Sequence, residues 1–185
     1  MADAVTRRPH PVVPLVALAV VAALDWVAGQ RHWSVPVVAV LDEPAHVITA
    51  WLVLAAVSSR LARPVQLWAL LGAVLIDLDH VPLYLWWALL AEPDGRPVTH
   101  SLATVVVLVA LGAVPRLRVP ALGLALGVLL HLARDLATGP GVPLLWPLVD
   151  RSVQIPYTVY AVALTVTAVI AALAVIRADR SRVSG

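Results

Sequence analysis

The chain has 185 residues, enough for one domain; 61% are hydrophobic, only 13% are charged, and the mean hydropathy is +0.91. A soluble domain carries about 25% charged residues, so this composition excludes an ordinary soluble fold and indicates an integral membrane protein. With no cysteine, a disulfide framework and a thiolate-ligated metal are both excluded, and the pI of about 9.7 reflects arginines at segment ends rather than affinity for nucleic acid.

The first apolar run follows Arg7 and Arg8 and extends from about Pro11 to Ala28. It resembles a signal peptide at its start, but it contains Asp25 and Trp26 and no small-x-small cleavage site follows, so a retained first helix is expected. A membrane helix needs about 20 mostly apolar residues. Six segments meet that length when a few polar residues are allowed: 11–28, 44–60, 64–91, 99–115, 119–138 and 156–176. The third is too long for a straight crossing and contains Pro82, which predicts a kink near Asp79–Pro82. The stretch TGPGVPLLWPLVDRSVQIP (138–156) holds two glycines and four prolines, and reads as an irregular re-entrant or capping loop held against protein. The expected architecture is an all-α polytopic bundle over 11–176, with short polar tails at 1–10 and 177–185.

Arginine sets the orientation. With the N-terminus cytoplasmic, nine arginines fall at the cytoplasmic ends (Arg7, Arg8, Arg60, Arg63, Arg116, Arg118, Arg177, Arg180, Arg182) and four on the other side (Arg31, Arg96, Arg134, Arg151). The positive-inside rule therefore favours N-in, C-in. Trp26, Trp33, Trp86, Trp87 and Trp146 fall near the outer interface, where an aromatic belt is expected.

The ionisable residues sort by depth. At about 1.5 Å per residue, Asp77, Asp79 and His80 lie roughly 20–24 Å from the cytoplasmic side. His131 and Asp135 come 12 and 16 residues after Val119, a similar depth. His46 lies at the outer end of the second span, His100 opens the fourth from outside, and Asp25 is near the outer end of the first. His131, Arg134, Asp135 and Thr138 share one helical face, as do Asp77 and His80; Asp79 would point away on an ideal helix unless the kink turns it inward. Buried carboxylates and imidazoles are tolerated when a divalent cation supplies the counter-charge, and both are zinc ligands. Seven candidates, His46, Asp77, Asp79, His80, His100, His131 and Asp135, exceed the needs of one tetrahedral ion, so a site with two or more ions and bridging carboxylates is expected. Such a site activates water and clamps a phosphoryl group.

Simpler roles compete. Asp77 pairs with Arg134 for packing in one reading, and Asp25 is either a structural acceptor or a partner of a metal-bound histidine. Asp42 and Glu43 favour a helix N-terminus through its dipole. Thr99 and Ser101 cap the fourth helix, and Gly123 and Gly127 make a close-packing GxxxG. His10 and His32 carry no role.

The blocks IDLDH (76–80), GRPVTHS (95–101) and HLARDLATGPG (131–141), with His46 before them and LLWP (144–147) after, resemble in order and spacing the YdjM-like inner-membrane metal-dependent hydrolases. Their pattern runs PDxDH, HRGxTHS, HxxxDxxTxxG and a proline-containing loop. Ile76 replaces the first proline, and the first histidine of HRGxTHS falls on Gly95, where Asp94 or Asp42 is the nearest substitute. The group is related to zinc-dependent phospholipase C and P1-type nucleases. The resemblance implies a bacterial inner-membrane enzyme that hydrolyses a phosphate ester. Its site would face the extracytoplasmic side, and its substrate would be a lipid or other amphiphile in the bilayer. Asp135 or a carboxylate behind it would accept a proton, while Arg134 and Arg96 would hold the phosphate. Two other functions fit the same cluster: a cation- or proton-coupled carrier, disfavoured by the absence of an internal repeat, and a non-catalytic protein with a structural metal.

Overall fold

The computed structural model describes residues 10–80 and 96–183. Six α-helices fall among them: α1 (Val12–Ala28), α2 (Val35–Val57), α3 (Arg63–Leu75), α4 (Leu102–Leu111), α5 (Arg118–Asp135) and α6 (Tyr157–Val183). A 3₁₀ turn, Ser58–Arg60, follows α2 and another, Ile76–Asp79, continues α3. No strand occurs among the described residues; Val142 and Val153 form one isolated antiparallel bridge. The chain is thus all-helical, as expected. The kink at Pro82, the outer part of the third span to 91, Trp86, Trp87, Asp94, Gly95 and most of the N-terminal tail lie outside the described residues.

Three boundaries differ from the sequence reading, each for a local reason. α2 starts at Val35, not 44. Ser34 is extended, and Pro36 stands in the first turn, where its missing N–H removes no helical bond; Pro44 is then carried inside the helix. Asp42 and Glu43 consequently sit well inside α2, too far from its start to serve its dipole. α4 is only ten residues long, about 15 Å at the helical rise, half of a hydrocarbon core. α6 runs on to Val183, into the stretch read as a tail. By length and composition two helical stretches suffice to cross a membrane, Val37–Val57 and Tyr157–Ala178, while Val12–Ala28 and Leu102–Leu111 are apolar but shorter. Helix length alone therefore supports two crossings rather than six.

Two apolar clusters organise the bundle. Val21, Ala45, Leu52, Tyr160, Leu164 and Ala168 join α1, α2 and α6. Ile76, Val105, Ala125, Val128, Leu132 and Val142 join α3, α4, α5 and the loop after α5. α3 and α5 run parallel and nearly touch. A Cβ on Gly72 would lie 2.6 Å from the Leu124 carbonyl oxygen, and one on Gly127 would collide with the Ala69 oxygen. The GxxxG of α5 (Gly123, Gly127) is therefore a backbone-contact surface, as small residues between packed helices permit. The proline-rich loop folds back as a cap. Val142 and Val153 exchange both backbone bonds (3.0 and 2.8 Å), Leu102 N–H donates to Leu144 O (2.9 Å), and Ile155 N–H donates to Leu136 O (2.7 Å).

The burial pattern inverts that of a soluble protein. Val40, Val106 and Val162 are 72%, 66% and 64% exposed, whereas His46, His100, His131, Arg134 and Asp135 are buried. Ionisable residues are ordinarily the exposed class and large aliphatics the buried one. An apolar exterior around a polar interior suits lipid as the solvent.

Candidate metal centre

One end of each described helix is gathered on the same side of the bundle. The C-terminal ends of α1, α3 and α5 bring Asp25, the Asp77–His80 turn and His131–Asp135. The N-terminal parts of α2, α4 and α6 bring Asp42–His46, His100 and Tyr157–Tyr160. The close α3–α5 crossing sets the registry, because it places His131 against Ala73. There His131 Nδ1 lies 2.8 Å from the Ala73 carbonyl oxygen, to which only a ring N–H can donate. The proton is thereby fixed on Nδ1, and the Nε2 lone pair faces the interior.

That lone pair meets carboxylates. His131 Nε2 is 3.1 Å from Asp135 Oδ2 and 3.5 Å from Asp77 Oδ1. His100 Nε2 is 3.0 Å from Asp77 Oδ1, and its Nδ1 is 3.3 Å from Asp79 Oδ2. His80 Nδ1 lies 3.3 Å from Asp77 and 3.1 Å from Asp79. His46 stacks on His131 at 3.8 Å between ring centres, with Nε2 3.4 Å from Asp135 and 3.5 Å from Asp42. Four groups have donor atoms all within 4.8 Å of one another: Asp77–Asp79–His80–His100, His46–Asp77–His131, His100–His131–Asp135 and Asp42–His46–Asp135. Asp77 and Asp135 each belong to two groups, the arrangement that bridging carboxylates between ions require.

The donor set fits divalent cations on a test internal to the fold. His131 Nε2, both nitrogens of His46, His100 Nδ1, Asp79 Oδ1 and Asp135 Oδ1 are buried with no hydrogen-bond partner. A buried polar atom without a partner costs about 1–3 kcal/mol, and several converging on one another would be expensive together. Cations between them would satisfy the carboxylate oxygens and one nitrogen of each imidazole. Nitrogen and oxygen donors without sulfur suit zinc and neighbouring first-row ions.

Every residue expected as a ligand from the sequence is brought into this cluster. Asp79 arrives by a route that does not need the proline. The Ile76–Asp79 turn is 3₁₀, which advances about 120° per residue instead of 100°. Two steps then leave Asp77 and Asp79 closer in direction, and Asp79 also accepts from Thr99. Three further acidic residues join the cluster or its border. Asp42 is a ligand candidate one helical turn before His46. Glu43 faces Asp77. Asp25 is tied to Arg134. The Asp42–His46 spacing of four was the available signal, masked by starting α2 at residue 44.

Arg134 does not pair with Asp77. Its Nη2 donates to Asp25 Oδ1 (2.6 Å) and Asp42 Oδ1 (2.8 Å), and its Nη1 to the Tyr160 hydroxyl (3.0 Å). Its side chain is 3% exposed, so this guanidinium is committed to carboxylates and is not available to a phosphate. Tyr157 OH donates to Asp25 (2.8 Å), and Thr49 and Tyr160 share a 2.7 Å hydroxyl contact. Arg96 is ion-paired with Asp135 and donates to the Thr138 carbonyl; Gly139, at φ +87°, leaves it room, since a Cβ there would lie 2.8 Å from its Nη2. Two guanidiniums thus serve six carboxylates (Asp25, Asp42, Glu43, Asp77, Asp79, Asp135), leaving an excess of negative charge that two divalent cations would balance.

A cleft of about 920 Å³ opens onto the cluster. Asp42, Glu43, Asp77, His80 and Arg96 line its polar part, and Trp26, Val38, Ala39 and Pro140 contribute apolar walls. No curated protein and no solved structure matches the chain. A family model described as YdjM inner membrane protein matches residues 41–184, which include α3 to α6 and every expected ligand from His46 to Asp135. The chain belongs to the YdjM inner membrane protein family.

Proposed function

We propose that this protein is a multi-pass membrane hydrolase that uses two or more divalent ions, zinc by preference, to cleave a phosphate ester of a lipid or similar amphiphile at the extracytoplasmic face. The observation that carries the reading is the chain of four donor groups sharing Asp77 and Asp135 beside an open, largely apolar cleft. A structural ion is usually enclosed by four ligands; here the donors are in excess and border a space large enough for a ligand. Divalent ions held there would polarise a phosphoryl oxygen and lower the pKa of a water.

The residues of the chain supply the rest. His46, Asp77, Asp79, His80, His100, His131 and Asp135, with Asp42, hold the ions. The Ala73 carbonyl keeps His131 in the ligating tautomer. Arg134 fixes Asp42 by one carboxylate oxygen, leaving the other toward His46. Glu43 lines the cleft and has a buried, unpartnered Oε2, so it is the carboxylate placed to take a proton from an attacking water. Arg96, ion-paired with Asp135 at the cleft wall, keeps the phosphate contact that the resemblance gave to it and Arg134 together, and would exchange part of that pairing for the phosphate. For the membrane topology, α1, α3, α4 and α5 complete the bundle around α2 and α6, with the short helices finishing against the capping loop. Two of the four outer arginines, Arg96 and Arg134, are consumed inside the site by acidic partners. That leaves Arg31 and Arg151 against nine on the other side, and the inward preference of the N-terminus is stronger than the bare tally.

The test is a purified, detergent-solubilised protein assayed for bound metal and for hydrolysis of a phospholipid panel, with and without chelator, alongside His131→Ala and Asp79→Ala. The expected result is about two ions per chain and turnover that the chelator and both substitutions abolish. A metal-free protein, or substitutions that leave turnover intact, defeats the proposal. Metal retained with no turnover on any ester moves the reading to a structural ion or a carrier.

A further inference from the structure

A second hollow, of about 320 Å³, runs between α1 and α6. Leu15, Leu18, Ala19, Ala22, Ala161 and Leu164 form its surface, and Tyr157 closes one end. Ala22 and Tyr157 also line the polar cleft, so the two hollows adjoin at the metal-proximal end. From Tyr157 to Thr165 the trough follows α6 for eight residues, about 12 Å.

We propose that this trough holds the acyl chain of an amphiphile whose phosphate-bearing end occupies the cleft. The nature of that headgroup rests on the hydrolase reading above. Three observations select an acyl chain. First, every hydroxyl on the trough is spent on a protein partner: Tyr157 donates to Asp25 (2.8 Å), Tyr160 is shared between Thr49 and Arg134 (2.7 and 3.0 Å), and Thr165 donates to the Ala161 carbonyl (2.7 Å). What remains facing the trough is methyl and ring surface, which offers a ligand burial and no hydrogen bond. Second, Ala19, Ala22 and Ala161 are small, so the floor is a narrow channel between α1 and α6, which already pack against each other. Third, the trough and the cleft share Ala22 and Tyr157, so the Tyr157 end of the trough lies beside the carboxylates, His80 and Arg96 of the cleft. Trp26, 67% exposed, borders the cleft, an amphipathic ring of the kind that sits where headgroup meets chain. Apolar chain and polar head are thus given separate, contiguous compartments.

The experiment uses the full chain in vesicles of phosphatidylethanolamine and phosphatidylglycerol containing a trace phospholipid with a photoactivatable diazirine midway along one acyl chain. Labelled peptides are mapped by mass spectrometry. Peptides bearing Leu15–Ala22 and Ala161–Thr165 should be labelled about tenfold more than those bearing Val106 and Val107 on the outer face of α4, a ratio equivalent to about 1.4 kcal/mol of preference. Ala161→Trp, which fills the trough, should remove that excess while leaving α4 labelling unchanged; Ala161→Ser, nearly the same size, should keep it and so controls for folding. Equal labelling of α4 and the trough would show only annular lipid and overturn the proposal, as would an Ala161→Trp protein that labels like the parent. Labelling confined to the trough without any ester hydrolysis would retain the chain site and discard the hydrolase. Chelator-sensitive hydrolysis with flat labelling would do the reverse.

Discussion

Two junctions hold this bundle together, and they work by opposite means. The α3–α5 crossing is made of absence: Gly72, Gly123 and Gly127 remove side chains so that backbones meet. The junction of α1, α2, α5 and α6 is made of charge: Arg134 reaches Asp25, Asp42 and Tyr160 on three neighbours. The first fixes how α3 and α5 slide past one another, and that registry brings His131 to the Ala73 carbonyl. The second fixes how far α1, α2 and α6 stand from α5, and so where Asp42 and His46 present their donors. A candidate metal centre whose donors come from four segments needs both a rigid registry and a lateral clamp. The difference teaches that a dry exterior does not prevent strong polar packing; it confines such packing to the interior, where each charge must find its partner within the protein.

The comparison is broken most sharply at Arg134. Arg134→Met should lower stability by about 3 kcal/mol, because it removes the buried partner of the half-buried Asp25 and Asp42 carboxylates. Arg134→Lys should recover only part of that, since one ammonium cannot serve several acceptors as a planar fork does. Thermal unfolding in detergent reads both; a loss below that of the glycine variant described next would show that the clamp is secondary. Stripping the metal from the folded protein comes next in size. Restoring ion at about 100 times its dissociation constant should return about 2.7 kcal/mol, seen as a rise in the unfolding temperature. No change on adding zinc or another first-row divalent ion would remove the ion from the account of stability. Gly127→Ala sharpens the other side. Its new methyl meets the Ala69 carbonyl oxygen, so about 1–3 kcal/mol should be lost through spreading of the crossing, with metal content falling as His131 leaves Ala73. A protein with normal metal content after this change would separate the crossing from the site. Smallest is Val106→Ala, on a valine 66% exposed and remote from both junctions, where a change within about 0.5 kcal/mol is expected. A larger loss there would mean that α4 has a partner on its outer face.

Much of the site was readable before the fold. The seven expected ligands were identified by type and height, and all seven meet in the cluster. What misled the reading was local. Starting the second span at residue 44 hid the fact that Asp42 is one helical turn from His46, so its dipole role was weighed beside its role as a substitute ligand. The bend expected near Asp79 is present as the 3₁₀ turn over Ile76–Asp79, which helical spacing alone did not specify. Arg134 was offered to a phosphate because it sits beside His131 in sequence, but its side chain is claimed by acidic residues more than 90 positions away. The length of α4 was overestimated because hydropathy continues through residues that the backbone turns out of helix.

The sequence by itself determined the helical class, the polar interior and the end of the bundle at which the ionisable groups gather. A helix converts residue count directly into height, so the height of each group follows from its own segment without knowledge of any neighbour. Only the tertiary structure decided direction and pairing: which oxygen Arg134 claims, which histidine nitrogen is left bare, which carboxylates two ion sites share. Those depend on the rotation of each helix about its axis, and rotation is set by contacts between segments that are far apart in the chain.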